Sequence, residues 1–163
     1  MTGERPGRPP PVPLRRATSV DAVVLADVFA DAVRAAGPAR YTPAQVEAWA
    51  SAAADRAAFG RRMLEDVVWI AEDDGGPAGF VALDGDRVAA LYVRGDRQRG
   101  GLGRTLLDAA LAEAERRGVG RVRAEASDVA LPLFLRAGFR AVGAETVRRG
   151  GVEIGRTLVE RDP

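Results

Sequence analysis

The chain of 163 residues contains no cysteine, histidine, lysine or asparagine. Without cysteine there is neither a disulfide framework nor a thiol nucleophile, and without histidine there is no imidazole base. The absence of both residue types also excludes ordinary zinc sites, so no metal is expected. Because lysine is missing, the chain cannot form a Walker-type nucleotide site, whose lysine contacts the phosphates.

The net charge of the chain has no strong sign. The 24 arginines are balanced by 23 acidic residues, which gives a formal net charge of +1. A charge this small does not favour nucleic acid or a membrane as partner. Since every basic residue is arginine, we treat the arginine content as a coding bias and give single arginines less weight. No apolar run reaches the length of a membrane span and no signal peptide is visible, so we expect a cytoplasmic protein.

Proline is concentrated at the N-terminus, where residues 1–13 include the run Pro9-Pro10-Pro11. We expect a disordered or polyproline-like tail there. The remaining residues, 14–163, are predicted to form one domain, because this length and a hydrophobic content of 47% suffice for one core.

Hydrophobic periodicity and turn residues predict the first half of the domain. A short edge strand over 14–18 is followed by a helix to Ala36, and Thr42-Pro43 opens a second helix through a capping box. A third helix is expected from about Ala52 to Leu64. Three strands joined by tight turns then form an antiparallel meander over 67–93.

The second half of the chain adds a crossover to this meander. A helix from Leu102 to about Arg117 separates it from a strand over Arg121–Ala126, so we expect that strand to pair in parallel with Arg87–Val93. A short helix over 127–137 and a hairpin with Gly150-Gly151 at its turn complete the chain. The predicted fold class is α/β (α+β mixed sheet), with helices on both faces.

The stretch from Leu91 to Arg104 has the features of an anion-binding site. An apolar strand ends, a loop rich in glycine and arginine follows, and an amphipathic helix begins at once. The unpaired backbone N–H groups at the start of a helix, together with its dipole, favour a phosphate or pyrophosphate. Arg97, Arg99 and Arg104 add a cationic rim. We therefore predict that this loop binds a phosphate-bearing small molecule, mainly through its backbone.

Two segments resemble signatures of the GNAT acetyltransferase superfamily. The family pattern Q/R-x-x-G-x-G/A appears between a strand and a helix as Gln98-Arg99-Gly100-Gly101-Leu102-Gly103. Further along, the sequence Ser127-x-x-Ala130-x-x-Leu133-Phe134-x-x-x-Gly138-Phe139 is similar to the second signature of the family. The resemblance extends from about Leu14 to Val159. It implies a GNAT-like fold and N-acetyltransferase activity with acetyl-CoA as donor.

The resemblance also implies which residues hold the cofactor. The strand before the loop would bind the pantetheine arm through its backbone, and the loop and first helical turn would bind the pyrophosphate. Ser127 lies where many relatives carry an asparagine that contacts the pantetheine region, and it is equally well explained as a helix N-cap. The predicted set is Leu91, Tyr92, Val93, Arg97, Gln98, Arg99, Gly100, Gly101, Leu102, Gly103, Arg104, Ser127 and Phe134.

The sequence departs from the family at two positions that often carry acid–base groups. The usual acid is a tyrosine four residues before the Gly-Phe pair, and that position holds Phe134, which cannot donate a proton. Val122 stands where an acidic base is often found. Glu125 and Tyr92 remain as candidate catalytic residues, with solvation and packing as their structural alternatives. We therefore expect the acceptor amine to attack directly, with water as the base.

The acceptor is expected to bind under the segment from Arg40 to Trp49. Tyr41, Gln45 and Trp49 are the predicted acceptor-binding residues, since aromatic rings hold amines by cation–π contact. Trp49 packing its helix on the sheet is an equally good interpretation. The resemblance implies as acceptor a primary amine of a small molecule or peptide, and a homodimer is a further possibility because relatives are often dimers.

The main alternative is a non-catalytic acyl-CoA-binding sensor or regulatory domain, which the missing tyrosine and the missing acid favour. A dinucleotide-binding fold is a poorer interpretation, because the third glycine is absent and antiparallel strands precede the loop.

Overall fold

Alternating burial and tight turns build a seven-stranded mixed sheet in the computed structural model, which describes residues 11–163. The strands lie in the order β1-β2-β3-β4-β5-β7-β6, and every neighbouring pair is antiparallel except β4 and β5. This arrangement confirms the predicted meander, parallel pair and C-terminal hairpin. The strands are β1 (Leu14–Arg16), β2 (Val67–Asp73), β3 (Gly76–Asp84), β4 (Arg87–Val93), β5 (Val122–Ala126), β6 (Arg140–Arg149) and β7 (Val152–Arg161).

Five α-helices within residues 11–163 cover the two faces of this sheet. They are α1 (Ala22–Ala36), α2 (Pro43–Ala50), α3 (Arg56–Met63), α4 (Leu102–Arg116) and α5 (Leu131–Arg136). Phe80 and Ala82 of β3 point towards α1, α2 and α3, whereas Val81 and Leu83 point towards α4 and α5. Because both faces of β3 are covered, this strand is a continuous hydrophobic run. None of the helices in residues 11–163 combines the length and the hydropathy that crossing a membrane requires.

The first ten residues of the predicted N-terminal tail lie outside the described residues. The other three, residues 11–13, lead directly into β1. Val12 packs against the core, and the carbonyl of Pro13 accepts a hydrogen bond of 3.1 Å from the amide of Glu72. The chain therefore contacts the edge of the sheet before β1 begins.

Two helices are shorter than predicted. The helix expected from about Ala52 to Leu64 is replaced by a 3₁₀ turn, Ser51–Ala53, and by α3, whose N-cap is Asp55. The helix expected over 127–137 begins at Leu131, after a turn in which Ser127 Oγ accepts a hydrogen bond of 3.1 Å from the amide of Ala130. At α3 the start is fixed by the side chain of Asp55, which accepts a hydrogen bond of 3.0 Å from the amide of Ala58.

The parallel pair opens the sheet in its middle. β4 and β5 are paired only at Arg87 with Arg123 and at Val88 with Ala124. Beyond these residues β4 stays paired with β3 as far as Val93, whereas β5 is paired with β7. The C-terminal half of β4 therefore faces a gap between the two halves of the sheet.

Candidate active site

The backbone of β4 presents polar groups to this gap. The amide of Arg94 donates to the carbonyl of Ala78 on β3, at 2.8 Å. Successive residues of an antiparallel ladder turn their N–H and C=O groups to opposite sides, so those of Leu91 and Val93 face away from β3. The side chain of Gln98 meets one of them, since its Nε2 donates to the carbonyl of Val93 at 3.1 Å.

The loop after β4 ends in an exposed helix start. Gly101 is the N-cap of α4 and has a φ of +79°, a conformation that glycine adopts without strain. The amide of Thr105 donates to the carbonyl of Gly101 at 3.1 Å and makes the first bond of this end of the helix. The three amides before it, from Leu102 to Arg104, have no carbonyl of an earlier turn to bind. A fifteen-residue helix adds its dipole, so this end favours an anion.

A groove of ≈ 410 Å³ runs from the gap along this loop to the start of α4. This volume is in the range of small-molecule and cofactor sites. α1 and α5 supply its side walls through Val33 and Leu133. The groove is lined by these residues of the predicted cofactor set: Leu91, Tyr92, Val93, Arg97, Gln98, Arg99, Gly101, Leu102, Gly103 and Ser127.

Three residues of the predicted cofactor set, Gly100, Arg104 and Phe134, do not line the groove. The guanidinium of Arg104 is held by the carboxylate of Asp108 at 2.8 Å and by the carbonyl of Arg136 at 3.3 Å, so this residue offers the helix start its backbone amide. Phe134 is 3% exposed and packs edge-to-face on Phe139, with the ring centroids 5.0 Å apart. One face of Phe134 reaches a second, smaller cavity.

The cationic rim of the groove differs from the predicted one. Arg97 is paired with Asp73, with Nε 2.7 Å from Oδ2. Arg99 is exposed and makes no ion pair within residues 11–163. Arg136 also lines the groove, although it is not in the predicted cofactor set. Its position three residues after Leu133, on the same side of α5, was the available signal.

The second cavity, of ≈ 80 Å³, lies between β4 and β5, where Val88 and Glu125 line it. Its lining includes four aromatic residues, Tyr41, Trp49, Tyr92 and Phe134, and three charged ones, Glu125, Arg149 and Arg156. The groove and the smaller cavity share five residues, Trp49, Leu91, Tyr92, Ser127 and Ala130. The two spaces therefore meet at the C-terminal half of β4.

The predicted acceptor residues take different roles. Trp49 packs edge-to-face against Tyr41 and Tyr92, with centroid distances of 5.5 and 6.3 Å, so it both packs α2 on the sheet and lines the cavity. Gln45 does not line it. Its Nε2 donates to the carbonyl of Glu153 at 3.0 Å, and its Oε1 accepts from the amide of Thr42 at 2.9 Å. Gln45 thus caps α2 and ties it to β7, which corrects the expectation that it faces the acceptor.

Two charged residues of the smaller cavity, Glu125 and Arg156, are held by neighbours. The carboxylate of Glu125 accepts from Arg87 Nε at 2.9 Å. Arg156 donates to Glu145 at 2.7 Å, and this hydrogen bond holds the pKa of Glu145 below its usual value. Burial raises the pKa of Tyr92 to about 12, although Trp49, Arg156 and Arg149 favour the ionised form. At neutral pH the hydroxyl of Tyr92 is therefore protonated and is able to donate a hydrogen bond.

Comparison with known proteins gives a consistent result. A family model described as an acetyltransferase (GNAT) domain matches residues 38–154. The structure is similar to that of a GCN5-related N-acetyltransferase from Rhodopseudomonas palustris, with a TM-score of 0.89 and 34% identity over 93% of this chain and 95% of the other. It also has the fold of the PaiA N-acetyltransferase of Thermoplasma acidophilum in complex with coenzyme A, with a TM-score of 0.71 and 16% identity over 93% and 98% of the two chains.

A sequence relative of the chain is the uncharacterized N-acetyltransferase YafP of Escherichia coli K12. The two sequences are 28% identical over 128 residues, which cover 78% of this chain and 80% of YafP. The similarity therefore extends over most of both proteins.

Proposed function

Because the chain belongs to the GNAT family of N-acetyltransferases, we propose that it transfers the acetyl group of acetyl-CoA to a primary amine of a small molecule or peptide. The observation that carries this proposal is the junction of the groove and the smaller cavity at Leu91 and Tyr92. A donor in the groove and an amine in the cavity would bring their reacting atoms together there. Proximity of this kind is a main source of rate acceleration for a two-substrate reaction.

The groove offers backbone partners along its whole length. The N–H and C=O groups of Leu91 and the N–H of Val93 would bind the pantetheine arm, since the carbonyl of Val93 is held by Gln98. The amides at the start of α4 would bind the pyrophosphate. Arg99 and Arg136 would add charge-assisted hydrogen bonds to the phosphates. The complex of Thermoplasma acidophilum PaiA with coenzyme A, a protein of the same fold, supports this assignment.

In the proposed reaction the amine nitrogen attacks the thioester carbonyl carbon directly. A bond from nitrogen to this carbon forms, the carbon–sulfur bond breaks, and coenzyme A leaves as the thiolate. The carbonyl oxygen gains negative charge on the way, and a backbone N–H of β4 near Val93 would stabilise it. The nitrogen loses its proton to water, and the thiolate takes one up.

Tyr92 would assist the leaving group by hydrogen bonding rather than by giving up its proton. Its pKa is about 12. A thiol has a pKa of about 8.5 in water, so the phenol is a weaker acid than the thiol that it would have to protonate. Glu125 would attract the acceptor ammonium without serving as an essential base. A steep loss of kcat at neutral pH in a Glu125→Gln variant would contradict this part of the proposal.

The proposal is tested with the purified full chain, acetyl-CoA and a panel of primary amines. Thiol release and the mass of the product report acetyl transfer, and calorimetry reports coenzyme A binding. We expect the wild type to bind coenzyme A and to acetylate an amine. Gly101→Asp should abolish binding and transfer, because it puts a carboxylate at the helix start that would bind the phosphates. Gly118→Asp is the control, since Gly118 follows the other end of α4 with a similar φ of +72° and open space around it.

Two other outcomes would contradict acetyl transfer. Tight binding of acetyl-CoA without turnover of any amine would support the acyl-CoA sensor instead. Absence of coenzyme A binding, with Gly101→Asp indistinguishable from the wild type, would exclude both functions.

A further inference from the structure

Three charged residues line the smaller cavity, Glu125, Arg149 and Arg156. Two of them are paired with a residue outside the lining: Glu125 with Arg87 at 2.9 Å, and Arg156 with Glu145 at 2.7 Å. Arg149 is exposed and makes no hydrogen bond or ion pair through its side chain within residues 11–163. Counting the partners, there are three guanidinium groups and two carboxylates, so in the described part of the chain the positive charge of Arg149 has no partner at the cavity.

The unpartnered charge lies at one end of the cavity and a carboxylate at the other. Along β7, Glu125 is paired in register with Leu158, and Arg149 is paired with Val152, next to the hairpin turn. Both side chains nevertheless line the same cavity. A molecule with an ammonium group at one end and an acid at the other matches this distribution of charge.

On the basis of the proposed function, we infer that the acceptor is a small primary amine that also carries an acidic group, and that Arg149 binds this group. A guanidinium binds a carboxylate or a phosphate through two parallel hydrogen bonds. A diamine would instead place a second positive charge beside Arg149 and Arg156, and this repulsion disfavours it.

The interior of the cavity senses this charge. Arg149 and Arg156 both favour the ionised form of the Tyr92 hydroxyl, at the junction with the groove. The charge of Arg149 is therefore felt at Tyr92, where the amine of the acceptor would react.

The inference is tested with amines that differ only in their acid. The pairs are β-alanine with β-alaninamide, γ-aminobutyrate with its amide, and O-phosphoethanolamine with ethanolamine. We expect kcat/KM to be about tenfold or more higher for the acidic member of at least one pair. The carboxylate and phosphate pairs show which acid the cavity prefers.

Arg149→Gln should lower this acid-to-neutral ratio by about tenfold, mainly through KM of the acidic amine. Arg148→Gln is the matched control, because Arg148 is adjacent, equally exposed and paired with Glu153 at 3.2 Å outside the cavity. We expect its ratio to equal that of the wild type.

Neutral amines that react as well as acidic ones, or an unchanged ratio in Arg149→Gln, would overturn the inference and leave acetyl transfer intact. If acetyl-CoA binds but no amine of either class is acetylated, the proposed function fails and the inference fails with it.

Discussion

The hydroxyl of Tyr41 donates a hydrogen bond to the carbonyl oxygen of Gly155, 3.0 Å away, and so joins residues 114 positions apart in the chain. The same hydroxyl accepts a hydrogen bond of 2.8 Å from the amide of Asp128. One phenol therefore connects the turn before α2, strand β7 and the loop after β5. Because all three segments border the smaller cavity, this connection helps to fix its shape.

We expect Tyr41→Phe to lower the free energy of unfolding by about 1 kcal/mol, because two backbone groups lose their partner. It should also raise KM for the acceptor and leave the Kd of coenzyme A unchanged. Urea unfolding and steady-state kinetics measure these effects. Gln45→Ala removes a comparable bond, from α2 to β7, outside the cavity. If both variants raise KM equally, the hydroxyl of Tyr41 has no special role in the cavity.

A second prediction concerns Gln98, whose side chain holds the carbonyl of Val93 at 3.1 Å. This bond fixes the loop against the end of β4, where the pantetheine would bind. Without this bond, in Gln98→Ala, the loop is less preorganised, and the free energy of coenzyme A binding should weaken by about 1 kcal/mol. This corresponds to a Kd about fivefold higher. Calorimetric titration measures this change. The other glutamine, Gln45, also donates to a backbone carbonyl, so Gln45→Ala serves as the control with an unchanged Kd.

The third prediction separates hydrogen bonding from proton donation at Tyr92. If the phenol only donates a hydrogen bond, Tyr92→Phe should lower kcat by about tenfold, the effect of one hydrogen bond to a charged group. A general acid would contribute about 10²–10⁴-fold. The pH profile of kcat should keep its shape in the variant. A thousandfold loss, or the disappearance of an alkaline limb, would identify Tyr92 as the acid.

The groove was predictable from sequence because its main residues are consecutive. Strand, loop and helix start lie within one stretch from Leu91 to Arg104, and local pattern alone predicts their arrangement. The direction of a single side chain was not predictable: Arg104 is captured by Asp108 one turn further along α4. In a chain whose basic residues are all arginine, composition gives no help in selecting those that face the groove.

The smaller cavity was not predictable to the same degree because its walls come from distant segments. Arg149 and Arg156 reach it only because β7 inserts between β5 and β6, which the order of elements in the sequence does not reveal. Tyr41 and Trp49 line the cavity, and the sequence pointed to them because aromatic rings can hold an amine. Gln45 does not reach the cavity, because its side chain accepts a hydrogen bond from the amide of Thr42 in the capping box of α2.

The fourth prediction concerns the contact of α3 with the N-terminal end of α1. A Cβ on Gly60 would lie 1.9 Å from the carbonyl oxygen of Ala22, which is backbone and cannot move aside. Gly60→Ala should therefore destabilise the protein by about 3 kcal/mol or more, although alanine favours helices. Gly120→Ala is the control, because open space surrounds Gly120. Thermal and urea unfolding measure both variants, and equal effects would contradict the predicted close contact.

The last prediction is a pH dependence that arises from Glu113 on α4. Its carboxylate accepts hydrogen bonds of 2.7 Å from Arg116 and Arg117, and these partners lower its pKa from 4.5 to about 2. Because the pKa is lower in the folded state, the unfolded chain takes up this proton first as the pH falls. The stabilisation is therefore complete above about pH 4.5 and is lost as the pH falls towards 2.

Urea unfolding between pH 7 and about pH 2 should show a falling free energy of unfolding, because the carboxylate of Glu113 becomes protonated in the folded state over that range. Glu113→Gln should be less stable than the wild type at pH 7 and should lose less stability on acidification, because the group that titrates is absent. Glu115→Gln is the control, since Glu115 lies on the same helix, is exposed and makes no ion pair within residues 11–163. If the free energy of unfolding of Glu113→Gln falls with pH as steeply as that of the wild type, other carboxylates, such as Asp66 beside Arg117, are responsible for the acid sensitivity.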